Sequence, residues 1–175
     1  MAYAGLTFII TFVKTLRKSN SPKAKRHKLQ IGFGMEEILR KYIRHAMNEK
    51  PFNPDMLADL IQLRKASMLN DAQVAKILNE ISRRIVRDKG PVVMDISRYS
   101  EKGFKRKLVV QALFGKIFYL YELPEFCSRE SSLIIKEIFG VTDEDAVTLL
   151  THTLSEARDV DSIQKMVVIS DSEQS

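Results

Sequence analysis

The chain has 175 residues, of which 45% are apolar and 29% charged, with seven glycines, five prolines and no tryptophan. That is the size of one ordinary domain and a globular composition, which excludes collagen-like and wholly disordered chains. A single cysteine, Cys127, excludes a disulfide framework and suits a reducing compartment.

The net charge of +6 is unevenly placed. Residues 1–35 hold seven basic side chains and no acid, since the first carboxylate is Glu36. The other 21 of the 28 basic residues face all 22 acids in residues 36–175, so the body is close to neutral. Basicity confined to a tail argues against a nucleic-acid-binding body, whose footprint is a broad cationic face.

Residues 2–13 are uncharged and largely apolar, with Leu6, Phe8, Ile9, Ile10, Phe12 and Val13. As a helix they span about 18 Å, short of a hydrocarbon core of about 30 Å. Three readings fit: a membrane-touching helix, a helix docked on the body or a partner, or the remnant of a targeting or membrane segment. In the first, Phe8, Ile9 and Phe12 enter the interface and Lys14, Arg17, Lys18, Lys23, Lys25, Arg26 and Lys28 face anionic lipid. The run 17–28, with Pro22 and three nearby polar residues, is expected to be an extended linker. It also resembles a nuclear-localisation or phosphate-binding patch, which keeps a nucleic-acid-associated protein as the alternative reading. The chain thus divides into an apolar helix and basic linker (1–34), a helical domain (35–168) and an acidic tail (169–175).

From Met35 the apolar spacing is helical. A first helix over 35–48 puts Met35, Ile38, Leu39, Tyr42, Ile43 and Ala46 on one face, and Lys50-Pro51 stops it. Asn53-Pro54-Asp55 opens a second, with a capping asparagine, a proline at the first position and an acid facing the helix dipole. Asn70 and Gln73 form a capping box for a third, whose stripe is Val74, Leu78, Ile81 and Ile85. Glu80 and Arg84 are expected to pair across its polar face. Gly90-Pro91 ends it. Residues 91–96 are β-branched but have no second strand to pair with, so an extended connector pressed on helices is expected.

A long fourth helix over about 101–121 begins among Lys102, Lys105, Arg106 and Lys107, the wrong sign for a helix N-terminus. Its second half is apolar nearly all round. Such a helix is buried on several sides or covers a partner, so Phe114, Phe118, Tyr119 and Tyr121 are candidates for a protein-binding face. Two shorter helices follow over about 128–139 and 143–157, with Gly140 at a C′ position and Thr142 as a cap, and a last short helix is expected near 160–168. The phrases Leu69-Asn70-Asp71-Ala72-Gln73-Val74-Ala75 and Val141-Thr142-Asp143-Glu144-Asp145-Ala146-Val147 echo each other 72 residues apart. Each follows a helix and a turn, which points to a short solenoid with two helical pairs per period.

No catalytic pattern accompanies this framework. Gly32-Phe33-Gly34 has neither the preceding strand nor the later residues of a nucleotide loop, and Asp143-Glu144-Asp145 lacks EF-hand spacing. His27, His45 and His152 are far apart, so no metal site is expected. Cys127 and His152 are the one conceivable nucleophile and base. The expectation is a protein without catalytic activity, cofactor or metal.

Leu57-Ala58-Asp59-Leu60-Ile61-Gln62-Leu63-Arg64-Lys65, followed by Leu69-Asn70-Asp71-Ala72-Gln73-Val74, resembles the repeats of the chloroplast inner-envelope translocon scaffold and related plant plastid proteins with armadillo-like repeats. The similarity spans about residues 36–160. It implies an all-α fold, either a short right-handed armadillo/HEAT-like array or an irregular helical bundle. It further implies a plastid-associated, membrane-tethered scaffold that binds protein partners, with nuclear or cytoplasmic residence as the alternative.

Overall fold

The computed structural model describes residues 22–48, 52, 54–128 and 132–156. They form six helices and no strand: α1 (Pro22–Asn48), α2 (Pro54–Ser67), α3 (Asp71–Lys89), α4 (Glu101–Glu122), α5 (Ser132–Phe139) and α6 (143–156). The all-α expectation holds.

The first helix is longer than expected. It starts at Pro22 instead of near Met35, so residues 22–28 are helical and not an extended linker. Proline at the first helical position costs little, because its missing N–H would have no intrahelical acceptor there and its φ is already helical. Within 34–48, the part of α1 whose side chains are described, Met35, Leu39, Ile43, Ala46 and Met47 turn into the core. The apolar periodicity over 35–47 therefore traces a core-facing stripe of α1 and does not mark where the helix starts.

At α3 the capping box is present: Gln73 N–H donates to Asn70 Oδ1 at 2.9 Å and Asn70 N–H to Gln73 Oε1 at 3.0 Å. Glu80 does not pair with Arg84; it accepts from Arg40 of α1 at 2.8 Å, and Arg84 stands 4.0 Å from Asp88. The tertiary neighbour wins because Arg40 reaches Glu80 from a packed helix with little freedom left to lose. Gln73 also donates to Glu36 at 3.1 Å, a second link between α1 and α3.

Residues 91–96 form the expected connector, and their backbone groups find partners. Val92 N–H donates to the Phe139 carbonyl at 3.0 Å. The Val93 and Pro91 carbonyls accept from Gln111 Nε2 at 2.6 Å and Lys107 Nζ at 3.0 Å.

The sequence echo is a repeat of structure. Buried positions recur 72 residues apart: Leu63 and Ile135, Ser67 and Phe139, Val74 and Ala146, Ile77 and Leu149, Ile81 and Thr153. Met68 and Gly140, in the two equivalent turns, both have positive φ, +60° and +69°. Arg64 pairs with Asp71 at 2.7 Å and Lys136 with Asp143 at 2.5 Å, again 72 residues apart. The first helices correspond at an offset of 75 residues, three more than the turns, with Met35, Leu39, Ile43 and Ala46 matching Val110, Phe114, Phe118 and Tyr121, all buried. The repeating unit is thus three helices, α1–α3 and α4–α6, and not the two pairs expected from the turns alone.

The two units share one core. α3 packs on α1, α4 and α5, while α4 also touches α1 and meets α6 at Gly115. α4 is the seam between the units, which explains its apolar circumference. A Cβ on Gly115 would lie 2.1 Å from Thr153 Oγ1 and 3.0 Å from the Leu149 carbonyl, so the crossing of α4 with α6 requires glycine.

Candidate interaction surfaces

The aromatic residues expected to form a docking face belong to the core. Phe114 and Tyr121 have no exposed surface and Phe118 is 7% exposed. Phe114 stacks on Phe118 with ring centroids 5.4 Å apart and meets Phe139 of α5 edge-on at 5.3 Å. Tyr119 is half-buried and tilts against Phe52 at 5.8 Å. The expectation is corrected for a physical reason: α4 opens the second unit and packs on α1, α3, α5 and α6, so its second half buries several faces and presents no exposed aromatic face.

Tyr121 also carries the main polar contact of the seam. Its hydroxyl lies 2.6 Å from Asn79 Oδ1 and 3.0 Å from the Ala75 carbonyl, and having one proton it donates to one of them at a time. Burial pushes this phenol well above its ordinary range, with neighbouring Cys127 adding to the shift. Cys127 is itself fully buried, its Sγ 4.0 Å from the Asp71 carbonyl, whereas His152 is exposed on the groove between α4 and α6. The thiol has no open approach for a substrate. Among the described residues no His, Cys, Asp and Glu groups could hold a metal ion.

Of the residues assigned to an anionic surface, Phe8, Ile9, Phe12, Lys14, Arg17 and Lys18 lie outside the described residues. Lys23, Lys25, Arg26 and Lys28 fall on α1. Among the described residues no helix is long and apolar enough to cross a membrane.

Among the described residues, two concave surfaces stand out. The first, about 250 Å³, lies where the C-terminal turns of α1 and α3 meet α4. Its floor is apolar, made by Met47, Ile81, Ile85 and Leu113, and its rim carries Arg44, Arg84 and Lys89. Asp88 is the one carboxylate in its lining, and it is shared between Arg84 and Arg87, the latter at 3.4 Å. Lys89 lies in the last turn of α3, where a cation faces the negative end of the helix, and Arg44 and Arg84 stand further back on α1 and α3. The second, about 340 Å³, runs between α4 and α6 and includes Leu108, Ala112, His152 and Thr153. Sequence reasoning found neither, because each joins residues from helices distant in the chain. Only the clustered Arg83, Arg84, Arg87 and Lys89 at the end of α3 hinted at the first.

This is the architecture of an armadillo-like helical protein: stacked three-helix units, a continuous core and clefts between helix ends. The chain belongs to the family described as Armadillo-like helical domain-containing protein 5, whose model matches residues 31–122. The match takes in most of α1 and all of α2, α3 and α4, the first unit and the seam helix. No curated protein and no solved structure matches the chain.

Proposed function

We propose that the protein is a non-catalytic interaction module that holds an acidic, amphipathic peptide segment of a partner protein in the cleft between α1, α3 and α4. The observation that carries this reading is the pairing of an apolar floor with a rim of three cations and one shared carboxylate. Apolar side chains of a bound segment would cover Ile85 and Leu113, while its carboxylates would meet Arg44, Arg84 and Lys89. Armadillo-like family membership supports a protein-binding role, and the inaccessible Cys127 agrees with a role other than catalysis.

Tethering to an anionic membrane is part of the same proposal and is supported by the apolar residues 2–13 with the basic residues after them. A plastid address is supported by the resemblance of residues 57–74 to plastid repeat proteins. A fluorescent fusion of the full chain reads both, as a plastid-membrane signal or as a diffuse cytosolic or nuclear one. The peptide cleft is tested by nuclear magnetic resonance titration of the full chain with a helical probe bearing leucine at every third or fourth position and glutamate elsewhere. Amide shifts centred on Arg44, Ile85, Lys89 and Leu113 are expected; shifts confined to other surfaces contradict the assignment.

A further inference from the structure

The face that the first unit turns towards the second recurs on the second unit without a cover. On α3 the stripe Ala75, Asn79 and Ser82 is buried, and Tyr121 of α4 lies over it with its hydroxyl at Ala75 and Asn79. The same stripe returns 72 residues on in α6 as Val147, Thr151 and Leu154. There Val147 is 62% and Leu154 38% exposed, and Thr151 is exposed between them. End units of stacked-repeat arrays carry polar outer faces, whereas this one presents valine and leucine.

The helix that covers α3 has a counterpart of its own. α4 corresponds to α1 at the offset of 75, and the matching side of α1 is open as well. Ile117 and Leu120 of α4 have no exposed surface, but Tyr42 is half-buried and His45 exposed. Lys116 is buried and donates to the Met47 carbonyl in the last turn of α1 at 3.1 Å. Its counterpart is again a lysine, Lys41, which is exposed, and the counterpart of Met47 is Glu122 at the end of α4.

Charge favours joining these two faces to each other. α6 over 143–156 carries Asp143, Glu144, Asp145 and Glu156 and no lysine or arginine, with Asp143 held by Lys136. The last turn of α4 has no cation. On α1, Glu37 is held by Arg40 and Glu36 accepts from Gln73, Arg40 also reaches Glu80, and Arg44 stands at the cleft rim. Lys41 and His45 therefore set the sign of the outer side of α1. Two α6 faces set against each other would bring carboxylate to carboxylate.

From these relations we infer that copies of this chain stack head to tail, α1 of one copy lying on α6 and the end of α4 of the next, as α4 lies on α3 and the end of α1 within the chain. Tyr42 and His45 of the incoming copy cover Val147, Thr151 and Leu154, and its Lys41 meets Glu122. The interface joins two different faces, so it propagates into a continuous array instead of closing as a two-fold pair. It uses none of the residues that line the peptide cleft, and neither reading depends on the other.

Sedimentation of the full chain over a range of concentrations tests the stacking. The average mass should climb past twice that of one chain as concentration rises. Lys41→Glu and Glu122→Lys, each verified as folded by circular dichroism, should each weaken assembly roughly tenfold or more. Mixing these two variants should restore it, because each introduced charge then meets its opposite. Val147→Lys, at an exposed position, gives a second readout from the α6 side and should hold the protein at one chain. A single-chain mass at every concentration overturns the inference. So does growth that halts at two copies and ignores Lys41→Glu, which assigns the α6 face to a two-fold pair, or growth only with phosphatidylserine vesicles, which assigns it to a membrane.

Discussion

Lys116 donates its ammonium to the Met47 carbonyl at 3.1 Å, so a charged group from the middle of α4 caps the C-terminal turn of α1. The side chain is only 4% exposed and its Nζ lies 5.7 Å from the centre of the Phe52 ring. The end of a helix presents carbonyls without intrahelical donors, and buried ones need a partner. A lysine at the seam supplies it and joins the two units at the same time.

Lys116→Met keeps the apolar stem and removes the donor. Destabilisation of about 1–3 kcal/mol is expected, the cost of leaving a buried acceptor unpaired. Urea denaturation followed by circular dichroism measures it, and a loss below about 0.5 kcal/mol would mean that water satisfies that carbonyl.

Two glycine-to-alanine changes should have opposite signs. Gly34 is exposed on α1 with nothing within 4 Å of an added Cβ, so Gly34→Ala should stabilise by about 0.5–1 kcal/mol through helix propensity. Gly115→Ala forces α4 and α6 apart against Thr153 and the Leu149 carbonyl and should cost about 1–3 kcal/mol. Thermal melts resolve both, at roughly 2–4 °C per kcal/mol for a chain of this size.

Tyr121→Phe removes the hydroxyl that Asn79 and the Ala75 carbonyl share, at an expected cost of about 1–2 kcal/mol. The phenol's affinity for its proton is raised by folding, so this group's contribution is complete below the ordinary value of 10.0 and declines as pH rises above it. The wild type should therefore lose stability between neutral pH and about pH 11 more steeply than Tyr121→Phe does, in parallel denaturation series.

Arg64 spends its guanidinium on three acceptors: the Phe126 carbonyl at 2.9 Å, the Leu69 carbonyl at 2.6 Å and Asp71 at 2.7 Å. It pins the turn between α2 and α3 to the loop that follows α4. A lysine cannot reproduce that planar fork, so Arg64→Lys should cost about 1–3 kcal/mol despite keeping the charge. Lys136→Met, at the counterpart position, breaks one ion pair to the exposed carboxylate of Asp143 and should cost less than about 1 kcal/mol.

Much of this fold is legible in the sequence because local chemistry and tertiary structure agree. The Asn70 and Gln73 box, the Thr142 cap, Gly140 at its C′ position and the stripes of α1 and α3 all act over a few residues. The extent of the repeat was hidden because α1 and α4 correspond through burial alone: Leu39 and Phe114, or Ala46 and Tyr121, share a position but no residue type. The aromatic residues of α4 misled for a related reason, since an apolar circumference is the same signal whether the cover is a partner or a second unit of the same chain. The C-terminal parts of α1 and α3 meet the middle of α4 in the candidate cleft, and no pattern within one helix announces that meeting.

The most direct test of the account is the affinity of the acidic helical probe for the full chain, read by fluorescence anisotropy, before and after Arg44→Glu with Arg84→Glu. Both arginines are exposed, so the fold should survive, as circular dichroism would verify. The expected result is saturable binding that weakens with salt and falls at least tenfold in the double variant. Equal affinity in both proteins, or no binding to the wild type at low salt, would contradict a cationic docking cleft.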